Sequence, residues 1–187
     1  MSNDILKNDK DRLLRLLVSR ALFKEKVTLS SGKTSDYYID ARRVTLSSEG
    51  AYLCAKIILE LLRDENVAAV GGPTLGADPL LGAIGVLSHQ LKRPLDTFIV
   101  RQAPKPYGKQ QQVEGPLLKP GANVVLIDDV ATTGKAFVQS LEVLGQMGIR
   151  ASRAVCIVDR EEGAREAVAA KGCELISLFK ASDLLKA

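Results

Sequence analysis

A chain of 187 residues, 46% apolar and 26% charged, is long enough to bury one full hydrophobic core, and no change in composition marks a second domain. No run of about 18 apolar residues is present, and Met1-Ser2-Asn3-Asp4 lacks the basic-then-apolar layout of an export signal, so no membrane partner is expected. The net charge of +4 suits nucleic acid or a small polyanion; because the cations are dispersed and aromatics make up only 4%, too few for a base-stacking platform, a small anion is the better match and no nucleic-acid partner is expected.

Ile5, Leu6, Leu13, Leu14, Leu16, Leu17 and Leu22 recur at near-helical spacing and predict an opening helix over 4–22. Val27-Thr28-Leu29 and Tyr37-Tyr38-Ile39-Asp40 predict two short strands around Ser30-Ser31-Gly32-Lys33. Ser47-Ser48-Glu49 opens a helix that runs through Tyr52, Ile57, Ile58 and Leu61. From Val67 the pattern changes to alternating strands and helices. Val67-Ala68-Ala69-Val70 is a strand ending in Gly71-Gly72-Pro73, a helix follows over 78–91, and Thr97-Phe98-Ile99-Val100 is the next strand. Asn123-Val124-Val125-Leu126-Ile127 is a third strand, followed by a helix carrying Phe137, Leu141, Leu144 and Met147. Ala154-Val155-Cys156-Ile157-Val158 is a fourth, with a helix near 163–171 after it. Near-continuous apolar strands separated by helices imply an α/β fold whose parallel sheet is covered on both faces. Ligands of such sheets sit beyond the carboxyl ends of the strands, here after Val70, Val100, Ile127 and Val158.

Cys54, Cys156 and Cys173 are odd in number, lie in apolar stretches and are too far apart for a metal set; they read as reduced core thiols of a cytoplasmic protein. His89, the only histidine, stands at the end of the 78–91 helix, a setting of packing more than of catalysis.

The most informative stretch is Asp128-Asp129-Val130-Ala131-Thr132-Thr133-Gly134-Lys135-Ala136. Two carboxylates end a buried strand, and a glycine soon after begins a helix. The N–H groups at that helix start, with the Thr132 and Thr133 hydroxyls and Lys135, make a phosphate cradle. Asp128 and Asp129 would repel the same phosphate and are better matched to hydroxyl donors or hydrated Mg²⁺. A ligand with a diol at one end and a phosphate at the other meets both demands. A P-loop is excluded, because Ala136 follows Gly134-Lys135 and no glycine lies five residues earlier. A Walker-B-like strand lacks its phosphate-loop partner. An ordinary strand-to-helix turn, with Asp and Thr as caps, explains one threonine but not two acids before it.

This stretch resembles the phosphoribosyl-pyrophosphate (PRPP) motif of type I phosphoribosyltransferases, and the chain from about Leu16 onward is similar to the orotate-using family among them. The supporting segments are Thr28-Leu29-Ser30-Ser31-Gly32-Lys33, Ser35-Asp36-Tyr37-Tyr38-Ile39-Asp40, Gly71-Gly72-Pro73-Thr74-Leu75-Gly76-Ala77-Asp78-Pro79, residues 101–108, and Val158-Asp159-Arg160. The resemblance implies one domain over 1–187: a mainly parallel central sheet flanked by helices, with an N-terminal hood from residues 1–45 and a lid over about 102–114. It also implies transfer of phosphoribosyl from PRPP to orotate, giving orotidine 5′-monophosphate and pyrophosphate, with Mg²⁺. PRPP would be held by Asp128, Asp129, Val130, Ala131, Thr132, Thr133, Gly134, Lys135 and Ala136. Asp128 and Asp129 would meet the metal indirectly, through PRPP and water. Thr74, Leu75, Gly76 and Ala77 would lie along the pyrophosphate, although the same residues also suit a tight turn with no ligand.

By the same resemblance the lid closes over PRPP at the partner's active site in a homodimer, with Arg101 and Lys105 neutralising the leaving group and Gln102, Tyr107 and Lys109 beside them. The alternative is a solvated surface loop. The family pattern Arg-Lys-x-x-Lys-x-His-Gly is broken here by Gln102 and Tyr107, which removes one cation and one imidazole. Lys109 offers a replacement charge, Tyr107 a hydrogen-bond donor, and Pro104 and Pro106 stiffen the segment. Lys135 and Ala136 also depart from the family, which often has Ser or Thr there. Arg160 matches the position that recognises the base, and its planar fork suits a carboxylate; a surface ion pair with Glu161 or Glu162 competes. Thr132, Tyr37 and Tyr38 would complete the orotate site, although either tyrosine also suits a strand core. Two other functions remain open: a type I transferase for another base, and a non-catalytic PRPP-sensing regulator that binds nucleic acid. Against the regulator, only about twenty residues precede the short strands of the hood, too few for a separate DNA-binding module.

Overall fold

The computed structural model describes residues 3–28, 34–103 and 112–187. The chain begins with α1 (Asn3–Leu16), a π-helical turn (Leu17–Ala21), β1 (Leu22–Phe23), β2 (Val27–Thr28), β3 (Thr34–Ser35), β4 (Tyr38–Ile39) and α2 (Arg42–Thr45). It continues through α3 (Ser48–Leu61), β5 (Ala69–Pro73), α4 (Asp78–Gln90), β6 (Asp96–Val100) and β7 (Val113–Glu114). The last elements are β8 (Asn123–Ala131), α5 (Lys135–Gln146), β9 (Arg150–Asp159), α6 (Ala164–Ala169), β10 (Glu174–Lys180) and α7 (Ala181–Lys186).

The central sheet has the order β10-β9-β8-β5-β6-β7. Its first five strands are mutually parallel, as the alternation of strands and helices predicts, and β7 closes the β6 edge antiparallel. Alternate residues of β8 serve opposite layers. Val125 and Ile127 join the core built with α1, α3, α4 and α7, while Val124 and Leu126 join the one built with α5 and α6. Two small ribbons, β1 with β4 and β2 with β3, form the hood. The opening helix is anchored by buried Leu13 and Leu17, each worth about 1.5–3 kcal/mol of burial, and by a 2.6 Å ion pair from Lys56 to the 4%-exposed Asp9. The Ser47 hydroxyl caps α3 by accepting from Gly50 N at 3.2 Å, the start that Ser47-Ser48-Glu49 implies. Among the described residues no helix is long and apolar enough to cross a membrane.

Several boundaries differ from the sequence expectation, each for a tertiary reason. The opening helix ends before Leu22, because Leu22 and Phe23 pair with Ile39 and Tyr38. The first sheet strand is Ala69–Pro73, not 67–70. Gly71 lies under the Phe98 ring and Gly72 against the Ile127 carbonyl, so glycine permits the approach that extends the strand. The third strand does not end at Ile127. It carries both acids inside it, because β9 runs on beside it and pairs Asp128 with Cys156, Val130 with Val158 and Ala131 with Asp159. The elements β3, α2, β7, β10 and α7 have no counterpart in the sequence reading; β3 and β7 are two-residue pairings, and β10 is a strand because β9 offers it a parallel edge. Leu29 and the turn at 30–33 lie outside the described residues. Cys54, Cys156 and Cys173 are buried free thiols, and burial pushes the Cys54 thiol up to about 12. His89 is exposed near the C-terminal end of α4, away from the large cavity.

Candidate active site

The carboxyl ends of β5, β8 and β9 open into a cavity of about 1180 Å³, roofed by Tyr38, Asp40 and Arg42 from the hood. Its floor is the segment after Ile127. Asp128 is 8% exposed, and its Oδ1 accepts from Asp129 N at 2.9 Å; Asp129 Oδ1 accepts in turn from Val130 N at 2.8 Å. Both carboxyls are therefore fixed by the strand that carries them. Burial raises the Asp128 pKa well above the usual carboxylate range, and the neighbouring Asp129 charge adds to the rise. Asp129 is also raised by burial, opposed by hydrogen bonds and by the charge of Arg42.

Beyond the acids, Gly134 takes a left-handed conformation with φ +77° as the N-cap of α5, which favours glycine. That turn brings Thr132, Thr133, Lys135 and Ala136 to the cavity wall. Among the described residues the two threonine hydroxyls and the Lys135 ammonium have no side-chain partner, so they stand as ready donors at the positive end of a helix. Val130 also lines the cavity, whereas Ala131 is buried, its carbonyl accepting from Arg160 N at 2.8 Å, and Gly134 is buried.

The turn after β5 stands beside the acids. A Cβ built on Gly76 would collide with Asp128 Oδ1 and Asp129 Oδ1, so the bare glycine lets this turn close onto the carboxyl pair. Thr74 Oγ1 donates to Asp78 Oδ2 at 2.8 Å, the Thr74–Leu75 peptide is cis, and Leu75 is 61% exposed at the rim. Ala77 is not in the wall: its methyl is buried in the core and its N–H donates to Pro73 O at 3.2 Å.

Arg160 reaches the cavity from the end of β9 and is only 6% exposed. Its Nη2 pairs with Glu162 Oε1 at 2.9 Å and lies 3.4 Å from Ser35 Oγ, and its guanidinium sits 5.0 Å above the Tyr37 ring. The competing ion pair with Glu162 is present and joins a buried arginine to a half-buried acid, and among the described residues Arg160 Nε is a buried donor with no partner. Glu161 instead accepts from Ser182 N. Of the two tyrosines, Tyr38 faces the cavity, while Tyr37 packs against the main core and under Arg160.

After β6, Gln102 lines the cavity. Arg101 does not: it borders a smaller neighbouring hollow, pairs with Glu114 at 3.7 Å, and its N–H donates to Gln112 O at 2.7 Å. Lys105, Tyr107 and Lys109 lie outside the described residues. Sequence reasoning missed Arg42, Glu25 and Val27 as wall residues. The signal available for Arg42 was the arginine doublet Arg42-Arg43, one residue beyond Tyr37-Tyr38-Ile39-Asp40.

A family model described as phosphoribosyl transferase domain matches residues 46–181. Orotate phosphoribosyltransferase from Aquifex aeolicus (strain VF5) is 41% identical over 184 residues, covering 95% of this chain and 98% of that protein. The crystal structure of Mycobacterium tuberculosis H37Rv orotate phosphoribosyltransferase in complex with PRPP superposes with a TM-score of 0.78 at 33% identity, covering 94% of this chain and 98% of that one. Adenine phosphoribosyltransferase from Leishmania donovani matches at a TM-score of 0.67 and 17% identity, a likeness of fold alone that covers 91% of this chain and 80% of that one.

Proposed function

The chain belongs to the phosphoribosyltransferase family and, within it, to the orotate phosphoribosyltransferases, and from that premise we propose how its cavity works. It transfers phosphoribosyl from PRPP to orotate, giving orotidine 5′-monophosphate and pyrophosphate, a step of pyrimidine biosynthesis. One observation carries the reading. Among the described residues, two backbone-fixed carboxyls and a set of unpartnered donors at a helix start face the same cavity as a buried arginine whose Nε has no partner.

Thr132, Thr133, Lys135 and the first N–H groups of α5 hold the 5′-phosphate. Asp128 and Asp129 accept from the ribose hydroxyls, and the turn at 74–76 runs along the pyrophosphate. Arg160 Nε and its fork take the orotate carboxylate, a group that would satisfy the buried donor, while Tyr38 and Thr132 lie against the ring. As the bond from C1 to pyrophosphate loosens ahead of attack by the base nitrogen, positive charge builds on the ribose and negative charge on the departing oxygen. Arg101 and Lys105 of the lid meet that negative charge, with Gln102, Tyr107 and Lys109 beside them; closure excludes water and strengthens each contact.

Magnesium fits the acid pair, since it keeps much of its water and binds through one or two carboxylates together with substrate phosphates. Among the described residues no group of three or more His, Cys, Asp and Glu would cage it without substrate. When bound, Mg²⁺ offsets pyrophosphate charge.

Residues 1–187 act in this proposal as one cytoplasmic domain in a homodimer, without nucleic acid, each lid serving the partner's cavity. Supporting the dimer, Leu46, Tyr52 and Val86 leave 71%, 48% and 63% of their surface exposed around α3 and α4. The test is initial rates with PRPP and Mg²⁺ on orotate, uracil and hypoxanthine. Orotate should be favoured by at least about 100-fold, the penalty of leaving a buried charged donor unpaired; equal rates on the three bases would overturn the assignment.

A further inference from the structure

Pyrophosphate carries several negative charges, yet the turn at 74–76 that would lie along it has no cation: its side chains are Thr74, Leu75 and a glycine pressed onto two carboxyls. An anion placed there is repelled from below by Asp128 and Asp129. Among the described residues, the cations in the cavity wall are Arg42, Lys135 and Arg160. Lys135 stands at the α5 start, beside the phosphate cradle. Arg160 stands at the end of β9, while the turn follows β5, and β8 lies between those strands in the sheet. Arg160 also spends its Nη2 on Glu162. Neither serves the turn. Arg42 hangs from the hood over the same cavity, and Asp40 Oδ1 accepts from its Nε at 3.2 Å. That contact aims the guanidinium and leaves both terminal nitrogens without a partner among the described residues. Beyond Asp40, the acid its charge reaches most strongly is Asp129, the carboxyl against which Gly76 packs.

We infer that Arg42 binds the pyrophosphate of PRPP from the hood side, opposite the turn at 74–76, with Asp40 as its positioning residue. The inference rests on the transferase reading above. An arginine suits the task because two terminal N–H groups match two phosphate oxygens in a planar, two-point contact, which a lysine point charge does not reproduce. It also accounts for how the site tolerates Gln102, which lines the same cavity without a charge: the hood supplies the cation that this lid position does not. Asp40 holds Arg43 as well, its Oδ2 standing 3.8 Å from that Nε, so the acid faces both arginines of the doublet and steers the first into the cavity.

The test uses the full-length protein with Arg42→Ala, Arg42→Gln and Arg42→Lys, two-substrate kinetics, pyrophosphate product inhibition, and equilibrium binding of ribose 5-phosphate, which has the sugar and 5′-phosphate but no pyrophosphate. In the alanine and glutamine variants the PRPP KM and the pyrophosphate inhibition constant should each rise about 10- to 100-fold, the worth of a lost charge-assisted contact. The orotate KM and ribose 5-phosphate affinity should stay within about twofold, and lysine should restore part of the loss. The glutamine variant keeps the stem of the side chain and a polar end without the charge, and serves if alanine lowers folding. Unchanged PRPP and pyrophosphate constants, or a parallel loss of ribose 5-phosphate binding, would overturn the role of Arg42. The wild-type protein separates the two ideas: failure to consume orotate with PRPP refutes the transferase reading itself, whereas normal wild-type turnover with silent Arg42 variants refutes this inference alone.

Discussion

Gly76→Ala puts one methyl group where the turn after β5 meets the acid pair. The new Cβ would stand 3.0 Å from Asp129 Cγ, against about 3.5–4.0 Å for relaxed carbon contacts, and it would meet Asp128 Oδ1 and Asp129 Oδ1 closer still. Those two oxygens are the ones that accept from Asp129 N at 2.9 Å and Val130 N at 2.8 Å. The carboxyls cannot swing aside without losing those bonds, each worth about 1.5–3 kcal/mol if its acceptor is ionised. The cheaper response is for the exposed turn to lift by roughly an ångström, and a misplacement of about 1 Å costs on the order of 100-fold in rate. We therefore expect kcat/KM for PRPP to fall about 100-fold while the melting temperature changes by only a few degrees, because no core side chain is displaced. Steady-state kinetics beside a thermal melt check this. Full activity in the alanine variant would refute the claim that the turn and the acid pair must touch.

Three further outcomes are expected. Arg160→Ala should raise the orotate KM by about 100-fold and leave PRPP binding intact; calorimetry showing equal loss of both ligands would make Arg160 structural. Lys105→Ala should lower turnover by two or more orders of magnitude without changing stability, as expected for a cation that acts on the leaving group, and near-normal kcat would remove it from the chemistry. In the magnesium-free, unliganded protein, Asp128 has a folded pKa well above its ordinary 3.8, so between those values the folded state holds more protons than the unfolded state. Stability therefore declines as pH rises through that window. Asp128→Asn should flatten the decline in denaturant melts taken across mildly acidic to neutral pH while abolishing PRPP binding; an unchanged pH profile would mean that the buried carboxyl is not protonated there.

Much of the fold was legible because burial imposed period and composition together. The four apolar runs became β5, β6, β8 and β9, and Ser47-Ser48-Glu49 marked the start of α3, since a hydroxyl cap has a local cause. What escaped was set by partners distant in sequence. Gly71 and Gly72 are in a strand because Phe98 and Ile127 come close to them, and Asp128 and Asp129 are in one because β9 extends alongside. Neither fact has a signature in the local residues. In the site, the residue types of 128–136 pointed to one wall, and Asp128, Asp129, Thr132, Thr133 and Lys135 do line the same cavity, because a strand end and the helix start after it are neighbours in the chain. That the Ala77 methyl turns into the core was not legible, because sequence alone does not tell which side of a turn faces inward. Arg42 was missed for the converse reason: its place in the cavity depends on Asp40 and on hood pairing, not on a motif.

In the proposed mechanism the acid pair and the helix start hold opposite ends of one phosphorylated pentose. Calorimetric titration of PRPP into the magnesium-supplied protein tests this most directly. It should show one saturable site per chain, lost in the Asp128→Asn, Asp129→Asn double variant. No binding, or binding that the double variant leaves unchanged, would contradict it.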